Sequence, residues 1–418
     1  MPGSVQAVET RAGTASARVP PPGAQASAKA SGWLFGLPWD IREIGGVSQA
    51  VQNLMKVARR TGQAAPVLLV PDYEAVRPVV SRSGRTAVVR ARIISPHPDP
   101  VSLRSIAAIA VRGPASFWRL CGLLRRLRPA AVNVQYPGLW CLTLLCALRI
   151  ARPSARMVLS FQGSDVHAIE TASPLARLWW RVLLRWADGV TCCSENLRSR
   201  LIAASGCSPD RVVAVHNGID VEHLERGLRD GRVPPAIAGR RFLLNAATFE
   251  HKKGQDVLVR AFAGVRRRHP DLELVLAGRR GPTLPELREL VAELGLQDAV
   301  HFAVDLPHAD TLATFREAEA FVLSSRQEPF GIVLLEASYL GTPIVATAVG
   351  GVPEVVEHET SALLVPSEDV GALEDAILRL LDDAPLRTRL AANARRIALQ
   401  RFTWEAAFER YRELTLSR

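Results

Sequence analysis

Ser324-Ser325-Arg326-Gln327-Glu328-Pro329-Phe330-Gly331-Ile332-Val333-Leu334-Leu335-Glu336 is the stretch on which the fold turns. It ends an apolar run, passes through a Pro/Gly turn and opens a helical stretch. A strand that feeds a helix through a glycine turn is half of a βαβ unit. The helix N-terminus brings unpaired N–H groups and a positive dipole end, which suit a diphosphate. Glu336 lies eight residues beyond Glu328, inside that helix, where a carboxylate can accept from two vicinal hydroxyls such as those of a ribose. Glu328 stands in the turn itself, beside the place a sugar on the diphosphate would occupy. Two isolated glutamates would more often be solvated surface residues, so their neighbours decide the reading.

Outward from this segment the pattern repeats. Short apolar runs predict strands at Phe242–Ala246, Leu272–Ala277, Val300–Ala303, Ala320–Ser324, Pro343–Thr347 and Ser361–Val365. An earlier set falls at Gly32–Leu37, Pro66–Val70, Ala131–Gln135, Met157–Phe161, Gly189–Cys193 and Val212–Val215. Amphipathic stretches separate them, which is the pattern of two doubly wound parallel sheets. The ligand of such a sheet sits beyond the carboxyl ends of its strands, so two units facing each other enclose a cleft. The predicted division is a tail over 1–30, one domain over 31–222, a second over 223–400 and a closing helix within 401–418 that returns to the first domain. The second boundary follows His216-Asn217-Gly218-Ile219-Asp220, beyond which Asp230, Gly231, Pro234, Pro235 and Gly239 read as a linker.

Two further turns follow strand ends. Thr248-Phe249-Glu250-His251-Lys252-Lys253-Gly254 brings a lysine ammonium to the carboxyl edge of the second sheet, where it can neutralise a leaving phosphate. Val349-Gly350-Gly351-Val352-Pro353-Glu354 brings a second glycine turn to the same edge.

Composition bounds the remaining possibilities. With 418 residues, 48% of them hydrophobic, the chain can bury two cores. The six cysteines form no Cys-x-x-Cys pair and have no histidines at ligand spacing, which argues for a reducing compartment and against a zinc site. The most apolar window, Leu139–Ile150, is too short to span a bilayer. Residues 1–220 carry 27 basic and 12 acidic side chains, about +15, whereas 221–418 carry 25 and 29, about −4. A basic first half predicts an anionic partner. Leu175–Asp188 reads as a helix with Arg177, Arg181 and Arg185 on one ridge and Leu175, Leu178, Trp179, Val182 and Trp186 on another side; Phe117–Arg128 repeats the theme. Such helices either pack on the sheet or lie in a membrane interface. No nucleic-acid-binding signature accompanies them, and nucleic acid is not expected as a partner.

Taken together, these residues resemble the family-four group of retaining glycosyltransferases, over about Trp33 to Leu416. The resemblance is carried by Glu328 and Glu336 with seven residues between them, by Lys253-Gly254, and by Gly45-Gly46 in Glu43-Ile44-Gly45-Gly46-Val47. It implies the GT-B architecture, two facing Rossmann-like domains with the donor and acceptor in the cleft. It also implies that Glu336 holds the donor ribose, that Glu328 lies by the donor sugar, and that Phe330, Gly331, Ile332, Lys253, Thr248, Gly45 and Gly46 line the donor. Phe161-Gln162-Gly163-Ser164-Asp165 falls where similar enzymes approach the sugar, giving Glu328, Lys253, Asp165 and Gln162 as the expected catalytic set.

Two departures bear on that expectation. Thr248 stands where similar enzymes usually carry an arginine, and Gln162 stands where they often carry a histidine, so neutralising the diphosphate would rest more heavily on Lys253, and position 162 would offer hydrogen bonds only. The implied chemistry is front-face retention, with the departing phosphate deprotonating the acceptor. No metal is expected, since the chain has no Asp-x-Asp pair, and no cofactor beyond the nucleotide sugar, which is a substrate. The expected partners are that donor, a glycan or lipid-linked acceptor and an anionic membrane surface, with the protein cytoplasmic or peripheral on the inner face of the cell membrane. A nucleotide-sugar epimerase and a catalytically weakened nucleotide-sugar-binding protein are the alternatives.

Overall fold

The computed structural model describes residues 32–42, 45–62, 66–95 and 103–416. The expected tail over 1–30 and the pair Glu43-Ile44 lie outside these residues.

The first sheet is made of β1 (Gly32–Gly36), β2 (Val67–Pro71), β3 (Val79–Ser83), β4 (Thr86–Ala91), β5 (Pro129–Gln135), β6 (Arg156–Phe161), β7 (Gly189–Cys192) and β8 (Val212–Ala214). Its order is β3-β4-β2-β1-β5-β6-β7-β8, parallel throughout except for the β3–β4 pair. The helices between these strands are α1 (Gly46–Arg60), α2 (Leu103–Leu127), α3 (Trp140–Ala151), α4 (Ser164–Glu170), α5 (Pro174–Trp186) and α6 (Glu195–Ser205), with α7 (Val221–Asp230) following β8.

The second sheet comprises β9 (Phe242–Ala246), β10 (Glu273–Gly278), β11 (Val300–Val304), β12 (Ala320–Leu323), β13 (Ile344–Thr347) and β14 (Leu363–Val365). Its helices are α8 (Gln255–Arg268), α9 (Leu284–Glu293), α10 (His308–Glu317), α11 (Ile332–Leu340), α12 (Val352–Val355), α13 (Val370–Asp382) and α14 (Ala384–Arg401), and α15 (Trp404–Leu416) closes the chain. Its order is β11-β10-β9-β12-β13-β14, all parallel. Strands covered on both faces read as unbroken apolar runs, which is why these are legible in the sequence. Each fully buried phenylalanine, such as Phe249 or Phe321, contributes about 1.5–3 kcal/mol by leaving water.

The β3–β4 hairpin was not among the predicted strands. β3 is an edge strand whose Val79 and Val80 stay exposed, and its turn falls at Gly84, so it shows neither alternation nor an apolar run. The helix predicted over Phe117–Arg128 is the second half of α2, which starts much earlier and runs through Pro114.

In each sheet the strand order reverses at one point, between β1 and β5 and between β9 and β12. The loop after β1 leads to Gly45-Gly46, the loop after β9 carries Lys253, and the loop after β12 carries Glu328. These are the crevices where doubly wound sheets hold ligands. α7 packs against α10 of the second unit. α15 crosses back onto α1 and β6, with Phe408 against Trp33 at 5.0 Å between ring centroids, and Thr403 caps it by accepting from Ala406 N–H at 3.2 Å.

Candidate active site

The donor loop begins where β12 ends. Arg326 N–H and Gln327 N–H both donate to the Lys252 carbonyl, at 2.8 and 3.1 Å, which ties this loop to the lysine turn on the neighbouring strand end. Lys253 Nζ then meets Glu328 Oε2 at 2.7 Å, with only 17% and 10% of the two side chains exposed. Water is largely excluded there, so the pair interacts more strongly than surface charges would. Arg326 is not a second free cation, because Asp256 holds it at 2.7 and 2.8 Å and Glu368 also binds it. Thr248 sits half-buried in the loop after β9 and supplies no charge.

The glycine turn after β13 supports Glu328 from below. Gly351 N–H donates to the Glu328 carbonyl at 2.9 Å. Gly350 has φ 55°, and a Cβ there would stand 2.0 Å from that same carbonyl oxygen, so only glycine fits. Gly331, with φ 94°, ends the turn and caps α11 without a side-chain hydrogen bond to its first N–H groups. Glu336 follows on α11, 12% exposed, with Oε1 3.0 Å from His308 Nε2.

The first domain reaches this loop at several points. A Cβ on Gly163 would lie 2.5 Å from Pro329, and one on Gly46 would lie 3.1 Å from Ile332 Cδ1. Ser194 Oγ donates to the Pro329 carbonyl at 2.7 Å. Glu354 makes the tie reciprocal: its carboxylate accepts from Glu195 N–H at 2.7 Å and Asn196 N–H at 2.9 Å, capping α6 of the opposite domain, and meets His216 Nε2 at 2.9 Å. Burial opposes the charge on Glu354, but His216 and these two N–H groups outweigh it and hold the carboxyl below its usual range.

Gln162 is fixed from both ends of its amide. Its Nε2 donates to Gln135 Oε1 at 2.7 Å, and its Oε1 accepts from Asn217 Nδ2 at 3.2 Å. Gln135 in turn donates to Asn133 at 2.7 Å, and Asn133 to Ser160 at 3.2 Å. This buried chain runs across the first sheet to the cleft.

Contacts thus join Lys253, Glu328, Gly331, Ile332 and Gly46 about one strand-to-helix turn, Ile332 and Glu336 line the cavity between the domains, and Gln162 lies on the first-domain side. Two expected residues take other parts. Asp165 is 2% exposed and spends its carboxylate on the N–H groups of Gln162, Gly163 and Val166, so it shapes the turn that carries Gln162. Burial pushes its carboxyl up to about 7, with those N–H groups pulling the other way. Phe330 buries its ring against His216 at 5.6 Å and Phe402 at 5.9 Å, so only its backbone is available to a donor. Gly45 precedes α1 with open space around it. The sequence reading assigned no role to Glu354, His308, Gln135 or Asn217. Glu354 and Asn217 lie in segments already singled out for their turns, and His308 stands just beyond a predicted strand end, which was the available signal.

Two Rossmann-like units with switch points facing across a cleft define the GT-B class. Solved structures agree: a sucrose-phosphate synthase from Thermosynechococcus elongatus aligns with TM-score 0.69 at 21% identity, covering 92% of this chain and 98% of that one. The Anabaena protein Alr3699/HepE in complex with UDP and glucose aligns with TM-score 0.68 at 19% identity, over 92% and 98%. At these identities the likeness establishes the fold alone. Residues 44–223 match the glycosyltransferase family 4 model and residues 231–397 match glycosyl transferases group 1. A GDP-mannose-dependent alpha-(1-6)-phosphatidylinositol monomannoside mannosyltransferase from Mycolicibacterium smegmatis is 31% identical over 296 residues, 66% of this chain and 74% of that protein. A D-inositol 3-phosphate glycosyltransferase from Saccharomonospora viridis is 34% identical over 241 residues, and the match spans 56% of its length, so the chain aligns with about half of that relative. The chain belongs to the group 1, family 4 glycosyltransferases.

Proposed function

We propose that this chain is a retaining, metal-independent glycosyltransferase that moves a sugar from a nucleoside diphosphate to a glycan or lipid-linked acceptor. The observation that carries the reading is the Lys253–Glu328 pair, 2.7 Å apart at the switch point of the second sheet, with the N-terminus of α11 and Glu336 beside it. Lys253 and the helix end take the charge of the leaving diphosphate, the role a metal ion plays elsewhere. Glu336 accepts from the ribose hydroxyls, Glu328 orients the donor sugar, and the amide of Gln162 binds a sugar hydroxyl. With no enzymic nucleophile in this scheme, the departing phosphate takes the acceptor proton as the acceptor attacks from the same face.

Thermal shifts with UDP, GDP and ADP, followed by donor turnover in excess chelator, test the assignment. Metal-free transfer with the anomeric configuration kept supports it. Turnover that needs a divalent ion, or an inverted product, refutes it, while binding without any turnover marks a nucleotide-sugar-binding protein.

The acceptor side of the proposal is a membrane-borne glycan or glycolipid. α5 buries Ala176, Trp180, Leu183 and Leu184 and leaves Leu175, Leu178 and Trp186 more than half exposed beside Arg177, Arg181 and Arg185. α2 and α3 lie on the same side and expose Trp118 and Ile150. Thus the apolar residues of α5 that face solvent do not pack on the sheet, and with the arginines they form a surface suited to anionic lipid on the inner face of the cell membrane. Among the described residues no helix is long and apolar enough to cross a membrane. Flotation with anionic vesicles should fall when Arg177, Arg181 and Arg185 become glutamine, and unchanged flotation removes the membrane from the scheme.

A further inference from the structure

Behind Glu336 stands a pair of histidines that the reaction scheme above leaves unused. His308 opens α10 directly after β11 and points Nε2 at Glu336 Oε1, 3.0 Å away. Its other ring nitrogen, Nδ1, lies 3.2 Å from Nε2 of His223 on α7, and the two rings stack with 5.3 Å between centroids and 12° between planes. Glu336 and His223 both line a cavity of about 430 Å³ between the domains, which Ile332, Leu335 and Lys56 also border. One carboxylate oxygen of Glu336 is therefore committed to His308, and Glu336 borders open space.

The stacked pair removes the ambiguity that a lone histidine carries. When His308 is neutral, a His223 Nε2–H bond to Nδ1 leaves the proton of His308 on Nε2, where it serves Glu336. When His308 is charged, Nδ1–H donates to the lone pair of a neutral His223, and Nε2–H still serves Glu336. The electrostatics keep the order: burial lowers the His223 pKa and the neighbouring His308 lowers it further, whereas hydrogen bonding and charge from Glu336 raise that of His308 against its burial. A proton entering the pair settles on His308, next to the carboxylate it stabilises.

We propose that His308 is the positioning residue of the ribose carboxylate: it fixes the plane of Glu336 so that the carboxylate reads both hydroxyls of the ribose, and His223 fixes the tautomer of His308. This rests on the reading of Glu336 as the ribose ligand. The function parallels that of groups which orient metal ligands from behind, where removing the support weakens recognition without touching the bound group.

UDP-, GDP- and ADP-linked donors all share a ribose, so the test does not depend on which of these bases the donor carries. Calorimetric dissociation constants of the full chain would be measured for UDP and GDP and for their 2′-deoxy and 3′-deoxy counterparts. The wild type should favour the ribo forms by about tenfold or more, as expected when a buried carboxylate loses a hydroxyl partner. Absence of binding, or of that preference, refutes the ribose reading itself. Given the preference, His308→Ala should weaken the ribo forms by about tenfold while leaving the deoxy forms nearly unchanged, so that discrimination collapses. His308→Gln, whose amide can still reach Glu336, should restore it, and His223→Phe should reduce it partly. An equal loss for ribo and deoxy nucleotides in His308→Ala marks a merely structural role and overturns the proposal, as does undiminished discrimination. If His308→Ala fails to fold, His308→Asn, whose amide falls short of Glu336, decides between the same outcomes.

Discussion

Replacing Lys253 with alanine separates what this residue does for the fold from what it does for the reaction. The ammonium lies 2.7 Å from Glu328 Oε2, with the side chains 17% and 10% exposed, so removal strands a carboxylate that water reaches poorly. A fully buried pair broken in this way costs about 3–5 kcal/mol, and the residual exposure reduces that here to about 1–3 kcal/mol. The catalytic loss is separate: without the cation the leaving diphosphate keeps its charge, and kcat should fall about 100- to 1000-fold. Adding Glu328→Gln removes the stranded charge. The double variant should therefore regain most of the lost melting temperature and none of the lost turnover. Scanning calorimetry and a coupled nucleotide-release assay on the wild type, both single variants and the double variant complete the cycle. The reasoning fails if Lys253→Ala turns over within about threefold of the wild type, or if the double variant recovers kcat together with stability.

Gly350→Ala should destabilise the protein by more than about 2 kcal/mol and worsen both KM and kcat, because its Cβ would fall 2.0 Å from the Glu328 carbonyl. Gly341→Ala is the control, since it shares a positive φ of 75° but has open space around it, and should cost about 1 kcal/mol with unchanged kinetics. Asp165→Ala leaves three N–H groups without their acceptor, so a stability loss of about 2–4 kcal/mol should accompany a lower kcat through displacement of Gln162; normal turnover in the folded variant would deny Asp165 its positioning role. Glu354 has its carboxyl held below the ordinary value, so the stability it contributes is present above about pH 4.5 and is lost as the pH falls through its folded pKa. Small-angle scattering should show the two domains separating in that acid window, and Glu354→Gln should show much less pH dependence there.

The parallel strands were legible because burial on both faces leaves them as apolar runs, and the donor loop was legible because Pro329 and Gly331 punctuate a strand-to-helix transition. β3 was invisible for the opposite reason: an exposed edge strand has no core face to pattern it. The site shows the same division. Residues whose backbone geometry makes the site, such as Gly350 and Gly331, announce themselves through glycine. Residues that act through a partner distant in sequence do not: His308 acquires meaning only once α10 is laid beside α11, and Glu354 only once the domains meet. Asp165 and Phe330 show another limit, since a motif gives the position of a residue but not the partners of its side chain: Asp165 is held by backbone N–H groups and the Phe330 ring by His216 and Phe402.

The segment at the end of the first domain carries a consequence of its own. Within His216-Asn217-Gly218-Ile219-Asp220, His216 binds Glu354 of the second domain, Asn217 donates to Gln162 of the first, and Asp220 accepts from Lys56 on α1 at 2.9 Å. Gly218 lies so close to Thr403 and Trp404 that a Cβ there would meet backbone at 2.4 Å, which pins the crossover beneath the returning helix. The segment is thus fastened to both sides, and its neighbours are the site residues themselves. His216 ties this segment to Glu354 of the second domain while its neighbour Asn217 holds the Gln162 amide, and Gly163 beside Gln162 abuts Pro329. On the proposed reading of Gln162 as a sugar contact, cleft closure and the orientation of that amide are expected to be coupled. Asn217→Ala isolates that coupling, because it removes one hydrogen bond to Gln162 and leaves the Glu354 and Lys56 contacts in place. It should lower kcat several-fold with little change in nucleotide affinity or melting temperature, since Glu336 and Lys253 remain as they were. A matching loss of nucleotide affinity would show instead that the crossover acts on the whole donor site.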